Sequence, residues 1–118
     1  MARSSQSSFL ERYRNAALTN TSILVRSGPC EIFGWTVNNP NTSEIFVQLH
    51  DARALLDITL GTTICDLPLK VPAQSTVMIV PNENTYWFFT KGLVVAATTT
   101  ENGASAPGLP VSVVIGYR

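Results

Sequence analysis

Charge is the first thing this chain has little of. Only 14% of its 118 residues are charged, and eight basic side chains cancel eight acidic ones to a formal net charge of zero. A protein that holds nucleic acid through its phosphates needs clustered Lys and Arg, so no nucleic-acid partner is expected. No run of about 18 apolar residues is present, which excludes a membrane-spanning helix. The first residues, Met-Ala-Arg-Ser-Ser-Gln-Ser-Ser, lack the apolar centre of a secretory signal, so synthesis in a cytoplasm is expected. The two cysteines, Cys30 and Cys65, are too few for a disulfide framework and are expected as buried thiols.

Catalytic residue types are equally scarce. His50 is the one histidine. Asp51 follows it, but neighbours on a strand point to opposite faces and cannot form a relay. No serine stands in a Gly-x-Ser-x-Gly elbow. A cysteine nucleophile would need His50 as its base, yet Cys30 and Cys65 both lie in apolar strand contexts. No close-spaced ligand pair of the zinc type occurs, and Asn82-Glu83-Asn84 has too few carboxylates for a calcium loop. The glycines fall singly at turns and build no phosphate cradle. No enzyme, metal or cofactor is expected; a structural or binding module is.

What is present is 45% hydrophobic residues in a chain of single-domain length. A surface this poor in charge suggests partners that cover part of it. Residues 1–20 differ from the rest. They carry three arginines against one glutamate, +2, whereas the remainder carries five basic and seven acidic side chains, −2. Ser8-Phe9-Leu10-Glu11 fits a capping box, and Phe9, Leu10, Tyr13 and Ala17 fall near one helical face. This arm is expected either as a short helix over 9–18 that needs a surface to dock on or as a frayed tail.

From residue 21 onward the period is two. Strands are expected at 22–26, 30–38, 44–51, 66–71, 76–80, 86–89, 93–98 and 111–117, with a short edge strand at 58–60 and a single turn in 52–57. Asn38-Asn39-Pro40-Asn41-Thr42-Ser43 is a dense turn signal that would join the second and third of these as a hairpin or neighbouring pair. Alternation places Glu31, Phe33, Trp35 and Val37 on one face, and Ile45, Val47 and Leu49 opposite Phe46, Gln48 and His50. Seven or eight short strands at spacings near ten residues, with no βαβ rhythm, mean an all-β fold. It is expected to be an antiparallel β-sandwich or a jelly-roll-like barrel over 21–118, with the arm at 1–20.

Two strands, Leu93-Val94-Val95-Ala96-Ala97 and Val111-Ser112-Val113-Val114-Ile115, are apolar on both faces. An antiparallel sandwich wets one face of each sheet, so their outer faces need cover. The N-terminal segment could cover one and neighbouring subunits another, or a small closed barrel buries them. Tyr86-Trp87-Phe88-Phe89 is the densest aromatic run; one alternate pair is expected in the core and the other at a surface. Trp87, Phe89, Val94, Ala96 and Val114 are therefore the expected subunit-interface residues.

Several short motifs resemble a group of small virion proteins of tailed bacteriophages. They are Gly34-Trp35-Thr36-Val37-Asn38, Gln48-Leu49-His50-Asp51, Leu67-Pro68-Leu69-Lys70-Val71-Pro72-Ala73, Gly92-Leu93-Val94-Val95-Ala96 and the closing Gly116-Tyr117-Arg118. The resemblance spans residues 22–118. It implies an all-β capsid decoration (cement) protein on the virion surface, a homotrimer that clamps neighbouring subunits of the major capsid protein. On that view the arm would meet the capsid through Phe9, Leu10 and Tyr13, with Arg12 and Arg14 at the rim. The competing expectation is a carbohydrate- or receptor-binding module of a head or tail fibre, or a tail or neck structural protein.

Overall fold

A computed structural model describes residues 11–80 and 86–118. Among these, nine strands form two antiparallel sheets. In chain order they are β1 (Glu11–Leu18), β2 (Ile23–Ser27), β3 (Cys30–Asn39), β4 (Ile45–His50), β5 (Leu67–Val71), β6 (Ser75–Ile79), β7 (Trp87–Phe89), β8 (Gly92–Thr98) and β9 (Val111–Tyr117), with one 3-10 turn at Leu55–Asp57. Sheet one runs β1-β9-β3-β6, and β7 continues the β6 edge along the first residues of β3. Sheet two runs β2-β8-β4-β5.

The pairings follow one plan. The first half of the chain pairs back on the second: β1 with β9, β2 with β8, β3 with β6 and β7, and β4 with β5. The chain is thus one long antiparallel ribbon. Pairing of β9 with β3 and of β8 with β4 then rolls this ribbon into two facing sheets. That is the all-β sandwich expected from the alternation, in jelly-roll strand order.

The inner faces meet in a core of Leu18, Ile32, Trp35, Val37, Ile45, Val47, Leu49, Leu93, Val95, Ala97, Val111, Val113 and Ile115, among others. Trp35 and Trp87 stack at a centroid distance of 4.9 Å and a tilt of 48°, a geometry in which edge and face attract. The two cysteines are free, buried thiols, and burial pushes both up to about 11.

Four expectations change. The segment read as a helix or a frayed tail is a strand from Glu11 onward, paired antiparallel with β9 and interrupted by one bulge near Ala16 and Ala17. A lone ten-residue helix is marginal in water, whereas this strand gains a ladder and places Tyr13 and Leu18 on the core. Second, β3 and β4 are not a hairpin: the turn between them carries the chain from one sheet to the other. Third, residues 58–60 form no strand. Fourth, Phe33 does not share a face with Trp35. Gly116 pairs with Gly34 but Tyr117 pairs with Ile32, so Phe33 is the extra residue of a β-bulge. The bulge shifts the phase, leaving Ile32 and Trp35 both inward. Phe33 lies outside the core cluster, 5.7 Å from the Tyr86 ring and under the Arg118 guanidinium at 4.8 Å.

Candidate functional site

The two outer faces of the sandwich are the surfaces on which a function can be built, and they differ. On sheet two the outward row of β8 is Val94, Ala96 and Thr98, set against His50, Gln48 and Phe46 of β4. Val94, Ala96, Thr98, Gln48 and His50 are all 0% exposed in the single chain. Their cover comes from the chain's own loops. Gln48 Nε2 donates to the Thr98 hydroxyl at 2.7 Å and to the carbonyls of Gly103 at 3.0 Å and Thr100 at 3.3 Å, folding the turn after β8 back over the face. The loop before β5 joins it: Cys65 N donates to Asn102 Oδ1 at 2.7 Å, and Cys65 Sγ to the Leu49 carbonyl at 3.4 Å.

His50 completes this cover. Its Nε2 lies 2.7 Å from Gln48 Oε1. That amide oxygen can only accept, so Nε2 carries the proton and Nδ1 presents a lone pair. Nδ1 is buried and has no hydrogen-bond partner among the described residues. Burial lowers the His50 pKa below its ordinary 6.5, against an opposing pull from Asp66.

Two polar clasps fix the ends of the sandwich. Asn39, fully buried, donates from Nδ2 to the carbonyls of Ser43 (3.0 Å), Val71 (3.2 Å) and Pro72 (3.0 Å), while its Oδ1 accepts from Asn41 N and Nδ2, both at 2.9 Å. Asn41 in turn holds Leu109 through both backbone groups. At the other end Asp51 accepts from the backbone N–H groups of Lys91 (2.7 Å), Thr90 (3.1 Å) and Gly92 (3.3 Å). Burial raises the Asp51 pKa, but these hydrogen bonds outweigh it and hold the carboxyl below its usual range. A Cβ at Gly92 would overlap the Ala52 and Arg26 carbonyl oxygens, so the chain passes here only as glycine. Beside Asp51 a polar pocket of about 520 Å³ is lined by Asp57, Asp66, Arg53 and Lys91, among others. Among the described residues no three His, Cys, Asp or Glu side chains group as metal ligands. The turn Asn82-Glu83-Asn84 lies outside the described residues.

Sheet one presents the opposite picture. One row across its outer face reads Arg14, Val114, Thr36, Met78; the next reads Arg12, Gly116, Gly34. Met78 is 59% exposed and Phe88, on β7, 57%; Val80 and Tyr86 are exposed as well. The two opposed glycines floor a dent of about 100 Å³. Arg12 and Arg14 are exposed and form no ion pair among the described residues.

The expected interface residues therefore scatter. Phe89 is core and Trp87 is half-buried against Trp35. Val94 and Ala96 are sealed beneath the chain's own loops, so neither offers a surface to another subunit in this fold. Val114 faces outward on sheet one, half-buried between Arg14 and Thr36. In the arm, Tyr13 packs on the core while Arg12 and Arg14 point out. Phe9 and Leu10 lie outside the described residues. Met78, Val80, Tyr86 and Phe88 were missed. Alternation does separate Tyr86 and Phe88 from Trp87 and Phe89, but the letters alone do not say which pair faces inward.

No known protein family, curated protein or solved structure matches the chain.

Proposed function

We propose that this protein is a structural virion protein, a capsid decoration (cement) protein that binds the major capsid protein and stabilises the shell as a homotrimer. The observation that carries this is the asymmetry of the sandwich. One outer face is sealed by the chain's own loops, and the other exposes Met78, Val80, Tyr86 and Phe88 beside two arginines with no ion-pair partner among the described residues. An exposed apolar patch with a polar rim marks an interaction surface. The resemblance of the short motifs to those of tailed-phage virion proteins points the same way. Many copies bound around a shell would act together, so modest single contacts suffice.

Particles assembled without the protein test this. They are expected to release their contents at lower temperature or under milder osmotic shock than complete particles, and to regain tolerance when the purified chain is added back. Equal tolerance in the two preparations would reject the cement role.

One observation favours a second reading. Tyr86 and Phe88 are exposed rings on adjoining parts of one surface, and flat rings stack on sugars. A receptor- or glycan-binding module of a fibre predicts saturable binding on a glycan array, lost in Phe88→Ala. The cement protein predicts none.

A further inference from the structure

Taking the partner to be the shell protein proposed above, we infer the chemistry of the segment that docks on sheet one: an acidic, aliphatic stretch of protein. One apolar side chain seats in the dent over Gly34 and Gly116, and carboxylates meet Arg12 and Arg14. The register sets this layout. Arg12 stands in line with the two glycines, and Arg14 in line with Val114, Thr36 and Met78. One row thus runs from a cation on the β1 edge to two side-chain-free positions, and the other from a cation through Val114 and Thr36 to Met78.

Three observations select the occupant. The dent, about 100 Å³, is smaller than the roughly 150 Å³ space that admits a benzene ring, and so takes one aliphatic side chain rather than a cofactor. Its lining combines Ile79, Val114 and Trp35 with Thr36, Glu11 and Arg12; the apolar members favour an apolar guest. Arg12 and Arg14 sit on alternate residues of one strand and point to the same side. Neither has an ion-pair partner among the described residues, while Glu31 is engaged by Arg118 at 3.1 Å and Glu44 by Lys70 at 3.5 Å. Two unpaired guanidiniums, each a planar fork of donors, match carboxylates and repel a basic segment.

The test uses the full chain, 15N-labelled, titrated with three capped ten-residue peptides: alternating Glu and Leu, alternating Lys and Leu, and alternating Glu and Ser. With the Glu-Leu peptide the amides of Gly34, Val114 and Gly116 are expected to shift. The other two peptides should bind at least tenfold more weakly. The double variant Arg12→Glu, Arg14→Glu should lose at least tenfold for the Glu-Leu peptide with an unchanged melting temperature, since both side chains are exposed. Filling the dent by Gly116→Ala should weaken Glu-Leu binding while leaving the arginines in place. Equal binding of the Lys-Leu peptide, shifts confined to other surfaces, or no shifts would each overturn the assignment. So would light scattering that shows copies associating through this face and separating in the arginine variant. A parallel measurement separates this from the cement role. If undecorated particles bind the wild type and the arginine variant equally, the docking chemistry is wrong and the cement role stands. If they bind neither, yet the Glu-Leu peptide shifts the three amides, the cement role is wrong and the docking chemistry stands.

Discussion

The outer faces of the two sheets are built from similar letters and end in opposite states. Val94 and Ala96 on sheet two, and Val114 and Met78 on sheet one, all stand on outward rows beside polar neighbours. The first pair is inaccessible because Gln48 ties the Thr98–Gly103 turn over it with three hydrogen bonds. Among the described residues the second pair has no such tether. A sheet face is thus closed or left open by one buried amide and the loop it can reach, more than by how apolar its strands are.

The heaviest blow to the closed side should be Gly92→Ala. The new Cβ overlaps two backbone oxygens, Ala52 O and Arg26 O, which cannot rotate away. A loss of about 3 kcal/mol or more is expected in urea unfolding. Gln48→Ala comes next, at about 2–3 kcal/mol, because the Gly103 carbonyl and the His50 ring lose their partner together, while the Thr100 carbonyl keeps the Thr98 hydroxyl. Hydrogen exchange should rise in residues 99–105 in that variant and stay unchanged in β6. A matched pair of polar substitutions then sets the faces against each other. Val94→Ser should cost about 2 kcal/mol through the buried methyls it removes and the hydroxyl it adds. Met78→Ser should stay within about 0.5 kcal/mol, as surface changes do.

Acid provides a gentler probe. The folded-state pKa of His50 is lowered by burial, so the unfolded chain binds the proton more readily. The stability linked to His50 is therefore complete above its ordinary value of 6.5 and declines as pH falls from there toward the lowered folded value. Protonation would place a second N–H at Nδ1, which has no partner among the described residues. Melting temperature should drop between pH 7 and pH 5 in the wild type, and that slope should be absent in His50→Phe. If the slope persists, groups other than His50 carry it. The smallest effect is expected at the cysteines, whose thiols are buried and pushed up to about 11. They should resist a maleimide at pH 7.5 in the folded chain and react on unfolding.

Much of the fold was legible in the letters because strand breaks coincide with Pro, Asn and Gly. The expected spans for β3, β4, β8 and β9 match the observed strands to within a residue or two. The phase within a strand was less legible. Phe33 is one extra residue in a ladder; Gly34 beside it is a bulge signal, but it does not say which residue is extra. The capping box at Ser8 to Glu11 is a local signal, and the long-range pairing of β1 with β9 overrides it. The turn residues at Asn39 and Asn41 announced a turn but not the clasp they form with Ser43, Val71, Pro72 and Leu109, residues distant in sequence. The candidate surface suffered most. Alternation tells which residues share a face, but the loop that folds over it is a tertiary event. Gln48 and His50 fall on the face opposite Ile45, Val47 and Leu49, as the alternation has it, and are nonetheless fully buried.

The ribbon-like pairing also bears on how the molecule is made. Its tip, β4 with β5, joins residues about 20 apart, while β1 must find β9 almost a hundred residues away. Loop-closure entropy favours the tip first, so refolding is expected on the slow scale of non-local β topologies, milliseconds to seconds by stopped-flow fluorescence of Trp35 and Trp87. Until β1 arrives, β9 has an open edge that accepts any extended strand. The strand that carries Arg12 and Arg14 is then the last piece to close the molecule, and at high concentration a neighbour's β1 competes for the same place.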